Sequence, residues 1–164
     1  MAILIKHRTI VRDNWRRLDD DAPLASADIR VAVPTIVSLA WWRNNREHVL
    51  GQRSMFGVEL VAADNPGDLA IDVDSVGTDD ALTLVAIHFG SQTDGRGFSN
   101  ARLLRDRFGY RGELRATGSI IIDQLWELER CGFDAMELAS EVSADQIERA
   151  FEVFSSSYQA AATA

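Results

Sequence analysis

The sequence predicts an α/β fold: a parallel sheet of about four βα units, preceded by an N-terminal β-hairpin or arm and a helix. Three observations carry that expectation. From residue 56 onward, short runs of β-branched and aromatic residues alternate with helical patterns. One of those runs, Leu82 to Phe89, is apolar enough to be buried on both faces, as strands of a parallel sheet are. Capping residues open the helical stretches and glycines close them. A strand followed by a helix and a parallel strand crosses over in the right-handed sense. Two architectures satisfy the pattern, a doubly wound open sheet and a half-barrel of βα units, and the sequence leaves both open. The half-barrel would expose an apolar edge, so a homo-oligomer is expected.

Residues 1–53 read as the arm and first helix, and 54–158 as the βα core of a single domain spanning 1–164. Ile3-Leu4-Ile5 and Thr9-Ile10-Val11 are β-formers on either side of Lys6-His7-Arg8. Asp19-Asp20-Asp21-Ala22-Pro23 is a polar breaker, and Ile29 to Val33 alternates as a strand that Pro34 ends. Ile36, Leu39, Ala40, Trp42 and Arg43 recur at helical spacing over 35–51, with Gly51 as the stop. Trp41 and Trp42 are adjacent, so one is expected outside the core, at an interface or under the arm. Strands follow at 56–62, 82–89, 113–117 and 133–138. Helices are expected after Asp64, from Asn100 to Phe108 behind a Ser99 cap, from Ile120 to Cys131 behind Ser119, and from Ala144 to Tyr158 behind Ser143.

Composition fits one globular domain: 164 residues, 46% hydrophobic and 26% charged. The net charge of -8 argues against nucleic acid as a partner. Charge is uneven: residues 94–115 carry six arginines against three carboxylates, between segments 54–93 and 116–164 that each sum to -7. Lys6 is the one lysine, and arginine supplies the other sixteen cations. An arginine-rich genome gives that bias; bidentate recognition of an oxyanion gives it too. Cys131 stands alone, so neither an internal disulfide nor a C-x-x-C pair exists, and its place at a helix C-terminus disfavours a thiolate. The three histidines lack ligand spacing, and no metal site is expected. With no long apolar run and no secretory leader pattern, the expectation is a cytoplasmic protein without membrane contact.

Ligands of parallel sheets gather where strands end and helices begin. The segment there with the most chemistry is Ser91-Gln92-Thr93-Asp94-Gly95-Arg96-Gly97-Phe98-Ser99. Its functional reading is an anion pocket: Arg96 clamps, Asp94 orients it, and Gly95 and Gly97 let the backbone approach at positive φ, with exposed amides following Ser99. The structural reading is a tight loop held by an Asp94–Arg96 contact. Arg115 shares a strand face with Glu113, which points to an ion pair or to a place beside Arg96. His88, at a strand end, is the histidine nearest this edge. Gly95-x-Gly97-x-x-Asn100 lacks the third glycine of a dinucleotide fingerprint, and no P-loop is present.

Over residues 94–138, the strings Asp94-Gly95-Arg96-Gly97-Phe98-Ser99, Ala101-Arg102-Leu103-Leu104-Arg105, Gly109-Tyr110, Gly112-Glu113-Leu114-Arg115-Ala116, Gly118, Asp123-Gln124-Leu125 and Arg130-Cys131-Gly132-Phe133-Asp134 closely resemble a bacterial domain-of-unknown-function family, number 934. The likeness is weaker over 56–93 and loose over the N-terminal third. It departs at Gly90-Ser91-Gln92-Thr93, where relatives tend to carry a proline and an aromatic, and at Ser119, where an acidic residue is common. The resemblance implies a place in assimilatory sulfite reduction, with an oxidoreductase label that rests on gene neighbourhood, and it assigns no catalytic residue.

Three functions stay open on this reading. The first is an accessory or ligand-binding protein of sulfite or sulfate assimilation, holding a small anion or a partner such as sulfite reductase at the arginine-rich edge. The second is an oxidoreductase of that pathway using a borrowed flavin or nicotinamide. The third is a barrel-like enzyme for a small phosphorylated or carboxylated metabolite. No cofactor is identified.

Overall fold

The computed structural model describes residues 2–19, 33–49, 55–69 and 82–152. The N-terminal hairpin is present as β1 (Ile3–Lys6) and β2 (Thr9–Val11). Its two-residue turn puts His7 and Arg8 at φ 49° and 64°. Such a turn matches strand twist but normally favours Gly and Asn. Here Arg8 is held by a bidentate bond to Glu129 and by the Phe151 ring beneath it.

Six parallel strands follow: β3 (Arg16–Arg17), β4 (Thr35–Ser38), β5 (Phe56–Val61), β6 (Leu82–Phe89), β7 (Glu113–Gly118) and β8 (Ala135–Leu138). They lie side by side in chain order, and the hairpin closes the series antiparallel to β8, giving the order β2-β1-β8-β7-β6-β5-β4-β3. An order without reversal, joined by right-handed crossovers, keeps the helices on one face. Of the two architectures left open, the sheet is therefore the half-barrel kind. The chain itself demands curling. An open eight-stranded sheet would hold its outer strands about 34 Å apart. Yet β2 and β3 are those outer strands, and the link from Val11 to Arg16 reaches at most about 18 Å.

The helices are α1 (Leu39–Val49), α2 (Arg96–Arg102), α3 (Leu125–Arg130) and α4 (Ala144–Glu152). Short 3-10 turns occupy Pro66–Leu69 and Ile122–Gln124. One set of alternating strand residues (Val37, Phe56, Val58, Leu60, Val85, Ile87, Phe89, Leu114, Ala116, Met136, Leu138) packs with the helices in the main core. The other set points into the curl, where Ile36, Leu84 and Ala86 form a small separate cluster under Trp15.

Two expectations are corrected. Residues 35–38 are strand β4, so the helix begins four residues later than the 35–51 pattern suggested. Thr35-Ile36-Val37 is a β-branched run that a sheet neighbour captures. Pro34 directly precedes β4; residues 29–32 of the strand expected before it lie outside the described residues. Trp41 and Trp42 both face the core, 4% and 2% exposed. Phe56 is large enough to serve both, with ring centroids 5.9 and 6.4 Å away.

Candidate functional site

The sequence pointed to the loop after β6, and the structure places that loop at the C-terminal edge of the parallel strands. There Asp94 accepts the Arg96 backbone N–H and both ends of its guanidinium, at 3.1, 2.9 and 2.8 Å. The pairing holds the Asp94 carboxyl below its usual range and the Arg96 cation above its own. The Arg96 side chain remains 65% exposed. Helix α2 starts at Arg96 behind Gly95, so Ser99 lies inside the helix and does not cap it. The Asp94–Arg96 turn nucleates the helix four residues early. Gly95 has φ -72°, and Gly97 is helical, so neither supplies the positive φ expected of them. Gly97 is required for packing instead: a Cβ there would sit 2.5 Å from the Phe89 ring. The positive φ at this edge belongs to Gly118, at 86°.

Arg115 is not brought to Arg96. It lies in the curl, 1% exposed, bonded to Glu113 (3.0 and 2.8 Å) and to Asp13 (3.0 Å). Glu113 also accepts Lys6 Nζ at 2.6 Å. This buried tier ties β1, β7 and the segment before β3 together. The ion pair foreseen from the Glu113–Arg115 spacing is there, and Asp13 completes it.

A second polar tier lies higher in the curl, nearer the strand ends, and sequence reading missed most of it. Arg17 donates to Glu59 (3.1 Å) and to Glu137 (2.7 Å). Thr117 Oγ1 donates to the same Glu59 oxygen at 3.0 Å, and His88 Nδ1 lies 3.4 Å from that hydroxyl. Arg17 ends β3, and His88, Thr117 and Glu137 are each the penultimate residue of their strand. Arg17, Glu59 and Thr117 come from alternate strands, each two residues further along the register than the last. That stagger is how tilted barrel strands stack side chains in layers, and such barrels carry their chemistry at this end. The tier is partly open: the Arg17, Glu59 and Glu137 side chains keep 42%, 26% and 23% exposure. Burial works against the Arg17 cation, and Glu59 and Glu137 outweigh it, so the guanidinium is held above its ordinary range.

A signal for these residues existed. Glu59, Glu113, Arg115, Thr117 and Glu137 occupy alternate positions of strands whose other face is apolar. In a parallel sheet, where both faces are normally covered, that alternation marks a polar interior. Arg17 and Asp13 carried no such signal, because a two-residue strand has no period to read and Asp13 lies outside any strand.

The other singled-out residues have local tasks. Gln124 donates to the Gln92 carbonyl at 3.0 Å, clipping the loop after β7 to the loop after β6. Cys131 is buried. Among the described residues no group of three or more His, Cys, Asp or Glu is arranged to hold a metal ion, and no helix is long and apolar enough to cross a membrane.

No curated protein matches the chain. No solved structure matches it either. The family model of bacterial proteins of unknown function (DUF934) matches residues 57–164, most of the chain, from within β5 through α4. On that match the chain belongs to this family.

Proposed function

We propose that the protein is an accessory, ligand-binding protein of assimilatory sulfite or sulfate reduction, and that it holds a small oxyanion at the C-terminal mouth of the half-barrel. The observation that carries the binding part is the convergence of Arg17, Glu59, His88, Thr117 and Glu137 from five strands onto one partly open tier. Among the described residues Arg17 makes two hydrogen bonds with its five N–H donors, so donors remain for a ligand. The rim above carries Arg96, already oriented by Asp94. The pathway part rests on the resemblance of residues 94–138 alone.

Thermal unfolding of the full chain, followed with sulfite, sulfate and phosphate at constant ionic strength, tests the binding. Saturable stabilisation by at least one of them is expected. Arg17→Lys, which keeps the charge and loses the planar fork, should weaken it at least tenfold, and Arg96→Ala should weaken it less. Absence of saturable stabilisation by any of the three overturns the reading.

The exposed, pre-oriented Arg96 favours a second reading, in which the rim docks a reductase subunit. Co-purification with sulfite reductase that is lost on Arg96→Glu, with anion binding unaffected, would select it.

A further inference from the structure

We infer that the polar tier selects oxyanions that still carry a proton near neutral pH, and discriminates against fully ionised ones such as sulfate. The inference rests on the oxyanion reading above and specifies the ligand's chemistry. Its starting point is an imbalance between acceptors and donors. Arg17 is the single arginine or lysine of the tier among the described residues, and two carboxylates flank it. In Glu59, Oε1 takes the bonds from both Arg17 and Thr117, and Oε2 has no partner among the described residues. In Glu137, Oε2 takes the Arg17 bond, and Oε1 likewise has no partner among the described residues.

A carboxylate can only accept a hydrogen bond. An anion seated on the remaining Arg17 donors therefore meets two carboxylates. If it brings no proton, the contact is like charge against like charge in a half-buried site, where repulsion is poorly screened. If it brings an O–H, that group donates to a vacant glutamate oxygen, and repulsion becomes a charge-assisted hydrogen bond. Hydrogen phosphate and hydrogen sulfite carry such a proton near neutrality, and sulfate does not. The Thr117 hydroxyl cannot replace it, since its hydrogen is directed at Glu59. His88 and Asp13 are the other titratable groups that touch this tier or its arginine. His88 meets the tier through the Thr117 hydroxyl, and Asp13 adds a further carboxylate near Arg17.

Calorimetric titration of the full chain at pH 7 with phosphate, sulfite and sulfate, at matched ionic strength, is the test. Phosphate and sulfite should bind at least tenfold tighter than sulfate. Glu59→Gln, whose amide can donate, should bring sulfate to within about threefold of the others. Glu137→Gln provides the same check should Glu59→Gln not fold, with folding judged by circular dichroism. Sulfate binding as tightly as phosphate in the native protein overturns the inference and leaves the oxyanion reading standing. Discrimination that survives in every folded glutamine variant also overturns it. Failure of all three anions to bind overturns both.

Discussion

Arg105 shows what a single residue does in this chain. Its guanidinium donates to the carbonyls of Gly132, Tyr110 and Gly112 at 3.0, 2.7 and 3.0 Å, and to Asp134 at 2.6 Å. Asp134 in turn accepts the Leu114 N–H at 2.9 Å. One arginine thus fastens the turns before β7 and β8 together. A Cβ on Gly132 would press on Arg105 Cγ at 2.8 Å. Tyr110, under the same arginine and 3% exposed, has its phenol pushed well above the ordinary value of 10 by burial. The folded chain then holds that proton more tightly than the unfolded chain does. Stability is complete below pH 10 and falls as pH rises past it, by at most about 1.4 kcal/mol per pH unit for one proton. Urea titrations from pH 9 to 11.5 should show this fall, and Tyr110→Phe should flatten it. An unchanged slope in the variant would place the alkaline transition elsewhere.

At the level of elements, local signals were strongest where one residue type has one task. The strand 82–89 was read to the residue, because an eight-residue apolar run between turn residues has few other fates. Ser143 was read as the cap of the last helix, and its hydroxyl accepts the Gln146 N–H while Gln146 returns a bond to the Ser143 N–H. Ser143→Ala should therefore cost about 1 kcal/mol, measurable as a lowered urea midpoint at constant m-value. A loss below about 0.3 kcal/mol would mean solvent satisfies that helix end as well as the side chain does. Helix starts were misread where two signals competed. Ser99 looked like a cap, yet the Asp94–Arg96 turn starts α2 earlier. The helical spacing of Ile36, Leu39 and Arg43 masked a β-branched run that belongs to a strand.

The whole molecule depends on contacts between residues far apart in sequence. Arg17 on β3 meets Glu137 on β8, 120 residues away and five strands across. A flat sheet would separate those strands by about 24 Å, so this bond exists only because the sheet curls. Arg115 secures the same curl from below by binding Asp13 across 102 residues. Arg115→Ala would leave Glu113 and Asp13 without their buried cation and should destabilise the fold by about 3–5 kcal/mol. Chemical denaturation measures this, and Asp13→Asn should cost less, since the asparagine oxygen can still accept from Arg115. If Arg115→Ala unfolds within 1 kcal/mol of the native protein, the tier does not hold the curl. By itself the sequence determined the element types over most of the core, the helix caps at Ser143 and the polar alternation of the strands, because these depend on neighbours within a few residues. The tertiary structure alone decided the half-barrel order and the meeting of Arg17 with Glu59, Thr117 and Glu137. Register and curl come from pairing between distant strands, and no local periodicity records which strands will pair.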